Sequence, residues 1–165
     1  MRPLLRSMSI KTELKKFCKS FVYAASGIVH CIRTQRNMRF HMGAACAVAV
    51  LSIICDISSG EQLALILTIG GVMALECVNT AIESTVDLAS KGERSANAKA
   101  AKDCAAGAVL IFCLAAVGVA AIVFGKRILF ILGSFVDTPA LIPAAVMYVA
   151  LWFWWVFICF REKKQ

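Results

Sequence analysis

Twelve consecutive residues, Glu76-Cys-Val-Asn79-Thr-Ala-Ile-Glu83-Ser-Thr-Val-Asp87, place three carboxylates and one carboxamide in an otherwise apolar stretch. A carboxylate at the centre of a bilayer costs about 3 kcal/mol on insertion scales, so three in one segment need a reason. At 100° per residue, Glu76, Asn79, Glu83 and Asp87 fall at roughly 0°, 300°, 340° and 20° around a helix, one stripe within about 80°. Such a stripe faces protein or a wet cavity, not lipid. Glu83 and Asp87 lie one turn apart and could share a divalent cation; Mg²⁺ takes oxygen ligands and commonly bridges to phosphate. Glu76 lies almost two turns away, about 10 Å from Glu83 along the axis, and a deep, partly desolvated carboxylate suits a general base. Lys102 and Asp103, at the start of the next apolar run, add a cation for phosphate and another oxygen ligand. Polar membrane residues also act as glue between helices, or carry protons or cations through a transporter. A non-catalytic or proton-coupled transport protein is therefore the alternative. It leaves Lys102-Asp103 and the basic leader without a role.

The elements that hold this stripe are membrane helices. Of 165 residues, 60% are hydrophobic and only 17% charged, where a soluble domain carries about 25% charged residues. Residues 10–35 carry Leu14, Phe17, Phe21, Ala24, Ala25, Ile28 and Ile32 at helical spacing, with Lys11, Lys15, Lys16 and Lys19 largely opposite. That pattern is an amphipathic helix lying at the membrane surface. Spans are expected at about 37–55, 62–90, 99–124 and 140–160, with a tight turn at 56–61 and a polar connection from 91 to 103. The apolar stretch 128–136 is too short to cross alone; it extends the third span or lies in the interface. Trp152, Trp154 and Trp155 near the end of the fourth span fit an interfacial belt.

The fold class is all-α, an integral membrane helical bundle with a surface helix. Net charge is +8, but nine of the eighteen basic residues fall in the first 39 positions. No aromatic-plus-basic pattern marks a nucleic-acid module. With four spans, the leader, the 91–102 loop and the tail at 161–164 share one side, which the positive-inside rule makes cytoplasmic. The eight cysteines include no CxxC pair and lie mostly in apolar runs, so they read as packing residues rather than disulfides or a zinc site. His30 and His41 stand apart from any such pair. A secretory signal peptide is not expected, since the first long apolar run starts near position 42.

The Glu76–Asp87 run closely resembles the signature of the small prokaryotic lipid kinases, the diacylglycerol kinase and undecaprenol kinase family, whose pattern is E-x-x-N-[ST]-A-[IV]-E-x-x-[VI]-D. Every fixed position is matched. The run Ala98-Lys-Ala-Ala-Lys102-Asp103 resembles the family's entry to its third span, and Phe17 to Ile28 looks like its surface helix. Arg36-Asn-Met-Arg39-Phe-His41 resembles the R-N-x-[RK]-x-H variant of the undecaprenol-type branch. The resemblance covers about residues 12–124.

It implies a homotrimer in the bacterial inner membrane, with active sites between protomers near the cytoplasmic face. It also implies phosphoryl transfer from MgATP to the hydroxyl of a membrane lipid, undecaprenol ahead of diacylglycerol. By position, Glu76 would be the catalytic base, Glu83 a Mg²⁺ ligand, and Asn79 and Lys102 phosphate contacts. Asp87 and Asp103 would complete the nucleotide site, with Lys16 and Tyr23 of the surface helix. Arg39 and Glu76 would meet the lipid. Two departures stand out. Gln35 replaces the glutamate that helps hold metal in the family, where a neutral amide is a weaker ligand. The family also ordinarily stops after its third span, so residues 1–125 form the kinase domain and 126–165 an extension carrying the fourth span.

Overall fold

The computed structural model describes residues 10–91, 93 and 95–159, and all its regular structure is helical. The tail at 161–164 lies outside these residues. Six helices follow in order: α1 (Ile10–Thr34), α2 (Arg36–Ile54), α3 (Ser59–Ser90), α4 (Ala96–Gly125), α5 (Ile128–Asp137) and α6 (Leu141–Trp154), the last continued by a π-helical turn, Trp155–Cys159. Four helical segments are long and apolar enough to cross a membrane: α2, α3, α4 and Leu141–Ile158. The protein is an all-α membrane protein.

Helix boundaries follow local chemistry that hydropathy does not register. The expected turn at 56–61 is shorter. Ser58 and Glu61 form a capping box, in which the Ser58 hydroxyl accepts from Glu61 N and the Glu61 carboxylate accepts from Ser58 N at 2.9 Å. This satisfies orphan amides of the first turn and draws α3 back to Ser59. Likewise Ser95 accepts from Ala98 N at 3.1 Å, so α4 starts at Ala96, well inside the segment expected to be a connection. Residues 128–136 do not extend α4: a turn at Lys126 and Arg127 breaks the chain, and α5 is a separate short helix.

Helices α3 and α4 form the antiparallel hairpin at the centre of the fold. Gly71 admits the Phe112 ring of α4, where any Cβ would overlap it. Small residues of this kind let membrane helices approach closely where no hydrophobic drive exists between them. At the end remote from the polar stripe, Arg127 pairs with Glu61 at 3.0 Å and donates to the Val123 carbonyl at 2.7 Å. Cys55, Ile57, Leu65 and Val123 pack as a core beside that pair. Helix α2 lies against α3, and α6 runs antiparallel along α2. Only the C-terminal end of α1 is packed, at Cys31. Leu14, Phe17, Phe21 and Ile28 stay exposed, an uncovered apolar face suited to the interface.

Candidate active site

The stripe on α3 is graded in depth. Glu76 is 1% exposed and Asn79 6% exposed, Glu83 is half-buried, and Asp87 is open to solvent. One turn below Glu83, Asn79 Nδ2 donates to Glu83 Oε1 at 3.1 Å, fixing both side chains. Thr80, also buried, returns its hydroxyl to the Glu76 carbonyl at 2.8 Å. Three buried oxygens are poorly satisfied: both carboxylate oxygens of Glu76 and Oδ1 of Asn79 make no hydrogen bond of good geometry among the described residues, and the Asn37 amide of α2 is close enough to act on the Glu76 carboxylate only weakly. A buried carboxylate without a partner is expensive. These oxygens are therefore available to a cation, a hydroxyl or a phosphate-bound group.

Glu76 opens onto a cavity of about 220 Å³, lined with Asn79 by Asn37, Phe40 and His41 of α2 and by Ala106, Val109, Leu110 and Cys113 of α4. Phe40, His41 and Cys113 also line a second cavity of about 220 Å³. This one runs between α2, α3 and α4 past Ala44, Val48, Leu65, Val72 and Ala120, and its walls are almost wholly apolar. The Glu76 cavity and this apolar groove thus lie on either side of shared walls, Phe40, His41 and Cys113. Sequence patterning missed the α2 and α4 walls because most are small apolar residues in apolar helices. Asn37 and His41 did carry a signal: a spacing of four puts both on one face of α2.

Toward the α3–α4 turn, Asp87, Glu93, Ser95, Lys99 and Lys102 line a polar cavity of about 670 Å³. Lys102 Nζ meets Asp87 Oδ1 at 2.5 Å, with the two side chains 36% and 63% exposed. An ion pair this exposed contributes little, so Lys102 can exchange Asp87 for a phosphate. Asp103 is exposed and lines none of these cavities. Lys16, paired with Glu13 at 3.1 Å, and Tyr23 sit on the exposed face of α1 and line none of them either. A cavity of about 260 Å³ between α1 and α3 is lined instead by Ala24, Gly27, Cys31, Thr80 and Ser84, among others.

Arg39 is turned inward and is 5% exposed. Its Nη1 donates to the carbonyls of Ile32 and Arg33 at 3.0 Å each. Nε and Nη2 donate to the Val156 carbonyl at 3.2 and 3.1 Å. Carbonyls in the last turn of a helix lack intrahelical donors and carry the negative end of the helix dipole. One guanidinium thus closes the C-terminal end of α1 and ties it to a carbonyl of the π-helical turn that continues α6. Backbone carbonyls hold it in place, beside the cavity wall where a lipid contact is expected of it.

Among the described residues no group of three or more His, Cys, Asp or Glu side chains could hold a metal by itself. Mg²⁺ carried by a nucleotide needs only one or two protein carboxylates. Glu83 and the unpartnered Asn79 Oδ1 fit that demand. Gln35 is half-buried at the N-cap of α2, and its side chain makes no capping hydrogen bond. Gln35→Glu should lower the Mg²⁺ concentration needed for half-maximal activity several-fold; an unchanged Mg²⁺ titration would put position 35 outside the metal shell.

Residues 22–124 match the family described as prokaryotic diacylglycerol kinase. The chain belongs to that family. Over 102 residues it is 49% identical to the undecaprenol kinase of Bacillus subtilis (strain 168), covering 62% of this chain and 82% of that one. Over 98 residues it is 44% identical to a diacylglycerol kinase of a Synechocystis species, covering 59% of this chain and 56% of that one. No solved structure is significantly similar. The protein is therefore a lipid kinase with ATP as co-substrate, and the transport alternative is not favoured. Helices α5 and α6 lie beyond the residues the family accounts for.

Proposed function

We propose that this kinase phosphorylates a long-chain polyprenol, undecaprenol ahead of diacylglycerol, using MgATP at the cytoplasmic face of a bacterial inner membrane. The observation that carries the proposal is a buried, poorly satisfied Glu76 carboxylate whose cavity shares Phe40, His41 and Cys113 with an apolar groove. A lipid whose hydroxyl lies in the cavity and whose chain lies in the groove meets chemistry suited to each end. The Arg36–His41 pattern and the named undecaprenol kinase among the relatives favour the polyprenol.

In this reading Glu76 accepts the proton of the lipid hydroxyl as its oxygen attacks the γ-phosphorus of ATP. A new phosphorus–oxygen bond forms, the bond to the β-phosphate oxygen breaks, and ADP leaves. Phosphoryl transfer asks mainly for positioning and for neutralisation of charge on the transferred group. Mg²⁺ bound with the nucleotide would supply part of that neutralisation, held by Glu83 and Asn79 Oδ1. Lys102, released from Asp87, supplies the rest. Asp87 would border the nucleotide, and the exposed Asp103 would meet it from outside the cavity that Asp87 lines. Lys16 and Tyr23, on the exposed face of α1, would meet the nucleotide site of a neighbouring protomer in a homotrimer.

The substrate assignment is tested by giving purified protein MgATP with either undecaprenol or diacylglycerol and measuring phosphorylated lipid. Polyprenyl phosphate should form faster. A clear preference for diacylglycerol overturns the assignment.

A further inference from the structure

Helix α6 lies outside the family match, yet it reaches the wall of the acceptor cavity. It meets α2 at three levels. The Tyr148 hydroxyl donates to the Gly43 carbonyl. The Trp152 indole lies over Gly43, where a Cβ would overlap it, and packs on the Phe40 ring with centroids 4.9 Å apart. The Val156 carbonyl receives Arg39, and the Arg36 guanidinium sits 5.5 Å over the Phe157 ring. Phe40 in turn lines both the Glu76 cavity and the apolar groove, so it stands where the two join.

We propose that Trp152 is a positioning residue for the lipid acceptor: it holds Phe40 at the junction of cavity and groove and so sets which hydrocarbon chains enter. The fit is one of shape. Trp152 Nε1 is buried and has no hydrogen-bond partner among the described residues, so the indole serves here as a flat apolar body. Gly43 is what lets that body approach the α2 backbone. Removing it frees Phe40 to turn away and widens the junction, while the Asp87–Lys102 cavity at the α3–α4 turn shares no residue with this contact. The consequence falls on the hydrocarbon, not on the nucleotide. The inference rests on the acceptor site proposed above and adds to it a device that the family's three-span core does not contain.

The test uses the full chain in lipid nanodiscs with MgATP and two acceptors, undecaprenol and the short prenol farnesol. Trp152→Ala should raise KM for undecaprenol about tenfold relative to farnesol, with KM for ATP unchanged. Trp152→Phe, which keeps an aromatic face on Phe40, should restore the wild-type ratio. Phe40→Leu should reproduce the Trp152→Ala effect, and the double variant should add nothing further, as expected of residues acting through one contact. A loss shared by both lipids and ATP would mean a merely structural role, and additive effects would mean separate ones; either overturns the proposal. Wild type inactive on both prenols but active on diacylglycerol refutes the polyprenol assignment alone. The same ratio is then read on long- and short-chain diacylglycerols, and a ratio insensitive to Trp152 overturns the positioning role.

Discussion

Glu76→Gln should lower kcat for lipid phosphorylation by about 10²- to 10⁴-fold, the range a positioned general base contributes, while nucleotide affinity stays close to wild type. The amide has the shape of the carboxylate but accepts no proton from the acceptor hydroxyl. The site should tolerate the change well. Glu76 is 1% exposed and its oxygens are poorly satisfied, so the wild-type protein already bears the cost of a buried carboxylate with at most a weak Asn37 contact. Removing the charge lowers that cost, and thermal stability should hold or rise. The combination is diagnostic: a stable protein that binds nucleotide and does not turn over. Lipid phosphorylation and nucleotide binding measured on the same preparation check it. Activity within a few-fold of wild type would exclude Glu76 as base, and loss of nucleotide binding would move it into the nucleotide site.

Glu83→Gln should act differently. Its side-chain oxygen can still accept from Asn79 Nδ2, now received at 3.1 Å, so local geometry should persist. What disappears is the negative charge for the cation that travels with the nucleotide. Turnover should fall by about 10²-fold, as when one element of transition-state charge stabilisation is removed, and the Mg²⁺ requirement and KM for MgATP should both rise. A Mg²⁺ titration of the initial rate separates the two glutamates, since Glu76→Gln should leave its midpoint in place. A Glu83→Gln variant with an unaltered midpoint would show that the carboxylate serves only to orient Asn79.

The stripe and the spans were legible because each rests on a strong, periodic physical signal. A carboxylate in an apolar run is costly wherever it lies, and the spacing of Glu76, Asn79, Glu83 and Asp87 fixes a shared face without knowledge of any neighbour. Helix ends were less legible, since Ser58 and Ser95 each set a boundary through a single side-chain hydrogen bond inside segments that hydropathy marks only as polar. The walls of the cavities left almost no trace. Ala44, Val72 and Ala120 look like any lipid-facing residue until three helices are brought together. Arg39 was the least legible. A positive charge beside a membrane helix suggests a headgroup, and the carbonyls that take it up belong to two helices that composition cannot pair.

That pairing has a consequence in time. Arg39 is separated from its acceptor at Val156 by 117 residues, so the ribosome makes the guanidinium long before the carbonyl that completes its hydrogen bonds. Until α6 enters the bilayer, the guanidinium at the α1–α2 corner keeps the carbonyls of Ile32 and Arg33 but lacks its acceptor at Val156. Phe40, in the wall of the neighbouring cavity, lacks the Trp152 ring that packs on it. The α2 face that α6 covers, from Arg39 to Gly43, is therefore completed last as the chain is made.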